Sequence, residues 1–228
     1  MRLTDAVKAA LAIAGTTSVT TASAATWTDW STATIGVPGS ASGTLLTGVS
    51  SSVTVSYSGE LIGQTNVSGG GTNYWRSDAA YCSALVENGP GENGNSDIIA
   101  LNGQSTSPLL MNTITFSQPV VDPVMAILSL GRPNVPVTYT FDADFTILSS
   151  GSGWFGGQAS GSLFRDAPGV LRGLEGHGVI VFSGTFTSIS FTAGPAEFWH
   201  GFQIGVVPGP SAMFGVVCAA MIGLRRRR

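Results

Sequence analysis

The sequence predicts an all-β protein, an antiparallel β-sandwich of the jelly-roll type, with a hydrophobic helix at the C-terminus. Three observations lead to this prediction. Apolar residues occur in short runs, most of which alternate with serine or threonine. Glycine, proline and asparagine separate those runs, and no run between positions 25 and 205 keeps a helical period. Short alternating runs joined by such turns are typical of antiparallel sandwiches.

Strict alternation of apolar and polar residues marks strands that bury one face. Four segments show it, namely 52–58, 112–117, 137–142 and 186–192. Segments 124–130 and 178–183 are apolar at nearly every position, which predicts central strands that are buried on both faces. Shorter strand candidates are 44–47, 97–101, 144–148 and 198–204.

The N-terminal residues 1–24 have the layout of a cleavable secretory signal. Arg2 and Lys8 give a basic start, a short apolar core follows, and small residues end the segment. The predicted cleavage site comprises Ala22, Ala24 and Ala25. Cleavage after Ala24 would release an exported domain, residues 25–205.

The C-terminal residues 206–228 have the layout of a membrane anchor. An uncharged, mostly apolar segment, 212–224, would span roughly 20 Å as a helix, whereas a bilayer core is about 30 Å thick. Starting the helix at Pro208 lengthens it to roughly 25 Å, and arginines that reach the interface cover part of the remaining gap. Four consecutive arginines are typical of the cytoplasmic end of a membrane segment.

This order of elements resembles a known sorting signal. Its residues are Val207, Pro208, Gly209 and Pro210, followed after the apolar segment by Arg225, Arg226, Arg227 and Arg228. The arrangement resembles the PEP-CTERM signal of Gram-negative bacteria, in which glutamate is preferred where Gly209 stands. The resemblance implies an exosortase-like enzyme that cuts near the prolines. It also implies that the protein resides in the cell envelope or extracellular matrix, anchored transiently or permanently through the C-terminal helix.

Several phrases within the exported domain are similar to those of exported PEP-CTERM proteins. Examples are 27–30, 57–60, 73–75, 96–101, 114–127 and 173–180. This similarity implies a β-rich exported domain without an assigned activity, so no catalytic residue is carried over from the family.

The charge balance of the exported domain excludes one class of partner. Without the two ends, four of the ten basic residues and twelve of the thirteen acidic residues remain, a net charge of about minus eight. The domain contains no lysine. Nucleic-acid binding requires clustered basic residues, so we expect no nucleic-acid partner.

Two groups of acidic residues are candidate metal ligands. Asp142 and Asp144 would share one face of a strand, where they would either bind calcium together or stand as solvated edge charges. Glu175 with His177 and Glu197 with His200 would form a transition-metal site if their two segments met; otherwise the histidines lie at turns and strand ends. We expect no cofactor other than structural calcium.

Trp154 is the candidate for glycan binding, because flanking glycines favour an exposed loop and aromatic faces stack on sugar rings. The chain lacks Gly-x-Ser-x-Gly, phosphate-loop and His-Glu-x-x-His patterns. We therefore expect an exported, surface-sorted, non-catalytic protein of the extracellular polysaccharide matrix, with a structural or glycan-binding role. The alternative is a secreted carbohydrate-active enzyme on a jelly-roll scaffold.

Overall fold

A computed structural model describes residues 24–76, 78–92 and 95–208, which form an antiparallel β-sandwich of two sheets. The predicted all-β sandwich is therefore confirmed. One short 3-10 turn, Asp78–Ala80, is the helical element of the described part. The strands are β1 (Thr26–Trp27), β2 (Asp29–Thr34), β3 (Gly36–Gly48), β4 (Ser51–Leu61), β5 (Ile99–Leu101), β6 (Asn112–Val121), β7 (Pro123–Leu130), β8 (Val137–Phe141), β9 (Thr146–Gly151), β10 (Leu163–Ala167), β11 (Val170–Gly173), β12 (Gly176–Val181), β13 (Thr185–Gly194) and β14 (His200–Val206).

Every strand predicted from alternation or continuous apolarity is present, while β1, β2, β10 and β11 were not predicted. β2 and β10 are the edge strands of one sheet, and each buries only one residue, Trp30 and Leu163 respectively. A strand with so few buried side chains has no apolar period to detect. The two-residue strand β1 and the four-residue strand β11 are too short to show one.

Hydrogen bonding arranges the strands in two sheets. In the six-stranded sheet, β1 and β5 both pair with β14, which is followed by β7, β12 and β9. The eight-stranded sheet has the order β10, β11, β8, β13, β6, β4, β3 and β2. Several pairs join strands that are distant in the chain, and four of them are β5 with β14, β6 with β13, β7 with β12, and β8 with β11.

The main hydrophobic core lies between the two sheets. In β4 the alternate residues Val53, Val55 and Tyr57 are buried and the residues between them are exposed, as the pleat of a half-buried strand requires. Aromatic rings fill the centre, where Tyr139 and Phe141 pack against Phe191. Burial of this apolar surface is the dominant stabilising contribution to the fold.

A second core lies on the other face of the six-stranded sheet. Residues 62–98, hereafter the covering segment, place Trp75, Tyr81 and Ile98 against Val124 and other residues of β7 and β12. β7 is consequently buried at all eight of its positions, and β14 at all seven. The prediction that 124–130 and 178–183 form central strands is confirmed, because each lies between two neighbours and beneath a covering layer.

Asp97 ties the covering segment to both sheets. Its carboxylate accepts the backbone N–H of Trp30 in β2 (2.8 Å) and of Gly69 (2.7 Å). Its backbone carbonyl accepts the Nε1–H of Trp75 (3.0 Å) and the side-chain N–H of Gln203 in β14 (3.2 Å). Burial raises the pKa of the Asp97 carboxyl above its ordinary value, against the lowering effect of the two N–H donors. The oxygens of Asp97 thus hold the covering segment, β2 and β14 together.

The six-stranded sheet has two structurally distinct ends. At one end, the site end, β7 and β9 finish and β12 and β14 begin. At the other, the exit end, β14 finishes beside the start of β1 and the chain continues through Val207 and Pro208. Since β14 has seven residues, the two ends are separated by roughly 20 Å.

The predictions for the two termini fall mainly outside the described residues. Ala22, the predicted C-terminal helix, Gly209, Pro210 and the four terminal arginines are among the positions that are not described. Ala24 is exposed, and Ala25 is buried and donates its backbone N–H to the side chain of Asn88 (2.6 Å). In the part of the chain that the structure covers, no helix is long and apolar enough to cross a membrane.

Candidate functional site

A cavity of about 310 Å³ opens at the site end of the six-stranded sheet. Four connections build its wall: the turn after β7, the loop after β9, and the residues that immediately precede β12 and β14. It is lined by Ser129, Arg132, Pro133, Phe155, Glu175, Glu197, Phe198 and Trp199. Its volume is at the lower end of ligand pockets, which are roughly 300–1,000 Å³.

Ser129 and Glu175 form a strained pair on the pocket wall. A β-bulge in the β7–β12 ladder sets two residues of β7 opposite His177, and Ser129 is one of them. Ser129 and Glu175 have φ angles of 59° and 56°, a left-handed conformation that non-glycine residues seldom adopt. The Ser129 hydroxyl donates to Glu175 Oε1. Backbone strain of this kind tends to concentrate at functional sites.

His177 stands behind this pair with a defined tautomer. The backbone N–H of Ser129 donates to His177 Nδ1 (3.3 Å), so Nδ1 is unprotonated and the ring proton of the neutral imidazole is on Nε2. Nε2 lies 3.6 Å from Glu175 Oε1, beyond hydrogen-bond distance. Gly153 makes room for the fully buried ring, since a Cβ at that position would overlap it.

Glu197 and His200 form the second acid–imidazole pair. Glu197 Oε1 accepts the backbone N–H of Gly131 and hydrogen-bonds His200 Nδ1, both at 2.7 Å. The side chain of Glu197 is 1% exposed and that of His200 is wholly buried. Through these two hydrogen bonds, Glu197 joins the turn after β7 to the start of β14. The nearby phenol of Tyr139 has a pKa above its ordinary value. Burial is the largest cause, and the electrostatic effects of Tyr57 and Glu197 follow.

Arg132 supplies a positive charge to the same pocket. Its guanidinium lies over the ring of Phe198, 5.0 Å from the ring centre. Its Nε is buried and has no hydrogen-bond partner among the described residues. Arg165 and Arg172 each pair with an aspartate, whereas no described carboxylate lies within 4.0 Å of Arg132. The guanidinium is thus held in place by packing and not by an ion pair.

Aromatic side chains surround the opening. Tyr74 of the covering segment packs against Trp154, Phe155 and Trp199, with ring centres 5.0–5.8 Å apart. Phe198 is 79% exposed, and Trp154 and Phe155 are each 44% exposed. The predicted exposure of Trp154 is confirmed. The aromatic residues that line the pocket are Phe155, Phe198 and Trp199. Trp154 contacts Tyr74, which in turn packs against Phe155 and Trp199. Its glycan-binding role stays a prediction.

The two candidate metal groups have different outcomes. The segments of Glu175 and Glu197 do meet at one pocket, with His177 and His200 enclosed behind them. Asp142 and Asp144 do not share a strand face, because β8 ends at Phe141 and β9 begins at Thr146. That part of the prediction is wrong, since a turn that leads the chain from one sheet to the other interrupts the alternation. Among the described residues, no group of three or more His, Cys, Asp or Glu side chains is arranged to hold a metal ion.

The two aspartates instead accept separate hydrogen bonds. Asp142 Oδ1 accepts the backbone N–H of Ser190 (2.9 Å). Asp144 accepts two hydrogen bonds from Arg165, at 3.1 and 2.5 Å, and further ones from the backbone of Phe145 and Gly169. Calcium binding by this pair stays a prediction, and it would require Asp144 to be shared with Arg165.

Acid should weaken the Asp144–Arg165 pair in a defined pH range. The hydrogen bonds from Arg165, followed by those from Gly169 and Phe145, lower the pKa of Asp144 from 3.8 to about 2. Because the folded-state pKa is below the unfolded value, the stabilisation is complete above about pH 4 and is lost as pH falls towards 2. We expect Asp144→Asn to lower the melting temperature by a few degrees at pH 6 and not at pH 2. Calorimetry across this range tests it, and an equal loss at both pH values contradicts it.

Comparisons of the chain with protein-family models, curated proteins and solved structures find no match.

Proposed function

We propose that the protein is an exported, surface-sorted and non-catalytic component of the extracellular polysaccharide matrix that binds glycans through the pocket at the site end. The observation that carries this proposal is the combination of aromatic and carboxylate side chains around one cavity. Phe155, Phe198 and Trp199 offer apolar ring surfaces, while Glu175 and Glu197 offer acceptors for hydroxyl groups. Sugars present both kinds of surface, so the lining matches their chemistry.

The position of the pocket supports display on a cell surface. The chain leaves the sandwich at the exit end, and the pocket lies at the opposite end of β14. A domain anchored through residues 206–228 would therefore hold the pocket on the side remote from the membrane. Sorting by an exosortase-like enzyme and anchoring by the C-terminal helix belong to the same proposal, and they rest on the resemblance of the tail to the PEP-CTERM signal.

We infer further that the sandwich follows a jelly-roll path. Four of the long-range pairs, β5 with β14, β6 with β13, β7 with β12 and β8 with β11, are those of one long hairpin rolled across both sheets. Two interlocked Greek keys have this order, and jelly rolls include many lectin domains. The additional strands β2, β3 and β4 extend one sheet beyond β6.

One observation favours the alternative, a secreted carbohydrate-active enzyme. Two glutamates line a single cavity, each with a buried histidine behind it, and glycosidases use a pair of carboxylates on either side of the scissile bond. Turnover assays on the glycans that the protein binds distinguish the two functions. If reducing ends are released and their release requires Glu175 and Glu197, the protein is an enzyme and the non-catalytic proposal is wrong.

Removing the Phe198 ring should weaken glycan binding and leave the fold intact. Phe198 lines the pocket but is 79% exposed, so we expect Phe198→Ala to change stability little. The loss of one stacking platform should cost roughly 1–1.5 kcal/mol, which is about tenfold in Kd. The measurement is titration of full-length protein in detergent with glycans selected on an array. Val49→Ala, an exposed apolar residue away from the pocket, is the matched control.

The same titration with Trp154→Ala tests the prediction for that residue. A loss comparable to that of Phe198→Ala would extend the binding surface beyond the pocket. If no glycan on the array binds the wild-type protein, the proposed function is wrong.

A further inference from the structure

Arg132 is the pocket residue whose hydrogen-bonding capacity is unmet. A guanidinium has only donors, and a buried donor normally finds an acceptor. Arg132 Nε is buried without a partner among the described residues, and no described carboxylate is within 4.0 Å of the side chain. Phe198 holds the guanidinium at the cavity wall. Hydrogen bonding of this donor therefore needs an acceptor from outside the described residues, and a negatively charged one would suit the cation best.

The two glutamates of the pocket do not supply that acceptor, because protein donors already hold them. Glu175 Oε1 accepts the Ser129 hydroxyl, and Glu197 Oε1 accepts from Gly131 and His200. The cavity wall therefore carries a cation and two carboxylates that do not form ion pairs with each other, and a ligand that contacts all three needs an anionic group and donors.

We propose that the pocket recognises an acidic sugar, a uronic acid unit whose carboxylate pairs with Arg132. This inference rests on the proposed glycan-binding function and adds the charge of the ligand. The hydroxyl groups of the sugar would donate to Glu175 and Glu197, and its ring would pack on Phe155 and Trp199. A planar guanidinium binds a carboxylate with two parallel hydrogen bonds, which lysine cannot reproduce.

Because the exported domain is acidic, recognition of an acidic sugar should depend on short-range contacts within the pocket. Long-range electrostatics would repel a polyanion, but exposed charges are screened beyond about 8 Å at physiological ionic strength. The pairing inside the cavity is screened less. Specificity for the acid should therefore depend on Arg132 itself and not on the net charge of the protein.

The experiment compares uronic acid oligosaccharides with their carboxyl-reduced counterparts. Glucuronic, galacturonic and mannuronic oligosaccharides are each titrated into full-length protein in detergent at physiological salt, beside the neutral sugar of the same linkage and length. We expect at least one acidic member to bind ten times more tightly than its neutral partner. Arg132→Met should abolish that preference, so that the acidic and neutral members bind equally, and Arg132→Lys should restore only part of it.

Arg165→Met is the matched control, because it removes the same charge outside the pocket. Arg165→Met should leave the preference for the acidic sugar intact. If Arg165→Met also loses that preference, the preference depends on net charge and the inference is overturned. Equal binding of acidic and neutral members overturns the acidic-sugar inference alone and leaves glycan binding standing. Binding of neither form contradicts both proposals. A melting curve of Arg132→Met that matches the wild type shows that the variant is folded.

Discussion

Replacing Trp30 by alanine is expected to lower the free energy of unfolding by about 3–5 kcal/mol, the range for a large aromatic side chain removed from a core. Trp30 belongs to an edge strand, yet its side chain is fully buried between the sheets. Its indole N–H donates to Gln203 of β14 (2.7 Å), and its backbone N–H donates to Asp97. The substitution would leave a cavity where β2, β14 and the covering segment meet.

Denaturant-induced unfolding of the full-length protein measures this loss. Trp154→Ala is a matched control, since the same side chain is removed from a half-exposed position and should cost less than about 1 kcal/mol. Trp30→Phe should give an intermediate loss, because it keeps most of the ring and removes the hydrogen bond to Gln203. A loss below about 1 kcal/mol for Trp30→Ala would show that the core closes without this residue.

Changes in the tail should have all-or-none effects on the location of the protein. Deleting Arg225–Arg228 should let the apolar segment slip through the membrane, because positive charge at its cytoplasmic end sets its orientation. The expected product is a soluble chain that has not been cut. Replacing Pro208 and Pro210 by alanine should leave a full-length, membrane-bound chain, because prolines favour the extended backbone that a protease binds.

Cell fractionation and intact-mass analysis in the natural host measure both effects. Replacing the four arginines by lysines is the control, since it keeps the charge and should preserve anchoring and cutting. Wild-type protein that stays full length in the membrane would make the anchor permanent and contradict the sorting proposal. Gly209, where the PEP-CTERM pattern prefers glutamate, is the residue to restore in that event.

Strands with a regular apolar pattern were predictable, whereas very short strands and strands with one buried side chain were not, for a physical reason. In β4, Val53, Val55 and Tyr57 alternate with polar residues because one face of the strand is buried, so the apolar period is visible in the sequence. β2 lies at the edge of its sheet and buries Trp30 alone, so its sequence carries no period. The error at Asp142 and Asp144 has a related origin, because alternation continues by chance through a turn.

Two of the eight residues that line the cavity were candidates from the sequence. Glu175 with His177 and Glu197 with His200 stood out as acid–histidine pairs, and the structure places both at one cavity. Ser129 and Arg132 did not stand out, because a serine in an apolar strand and an arginine in a turn are common. The signal that would have located them is their position, immediately before and after the end of β7.

The sequence by itself determined the fold class, the strands with a regular apolar pattern and the two terminal patterns, because apolar periodicity and charge order are local properties of the chain. Tertiary structure decided which turns meet, because the strand order brings Ser129, Glu175 and Glu197 to one end of a sheet. It also decided that residues 62–98 cover a sheet face and that Arg132 has no acceptor among the described residues. Those facts depend on register and packing between segments far apart in the chain, which no local pattern records.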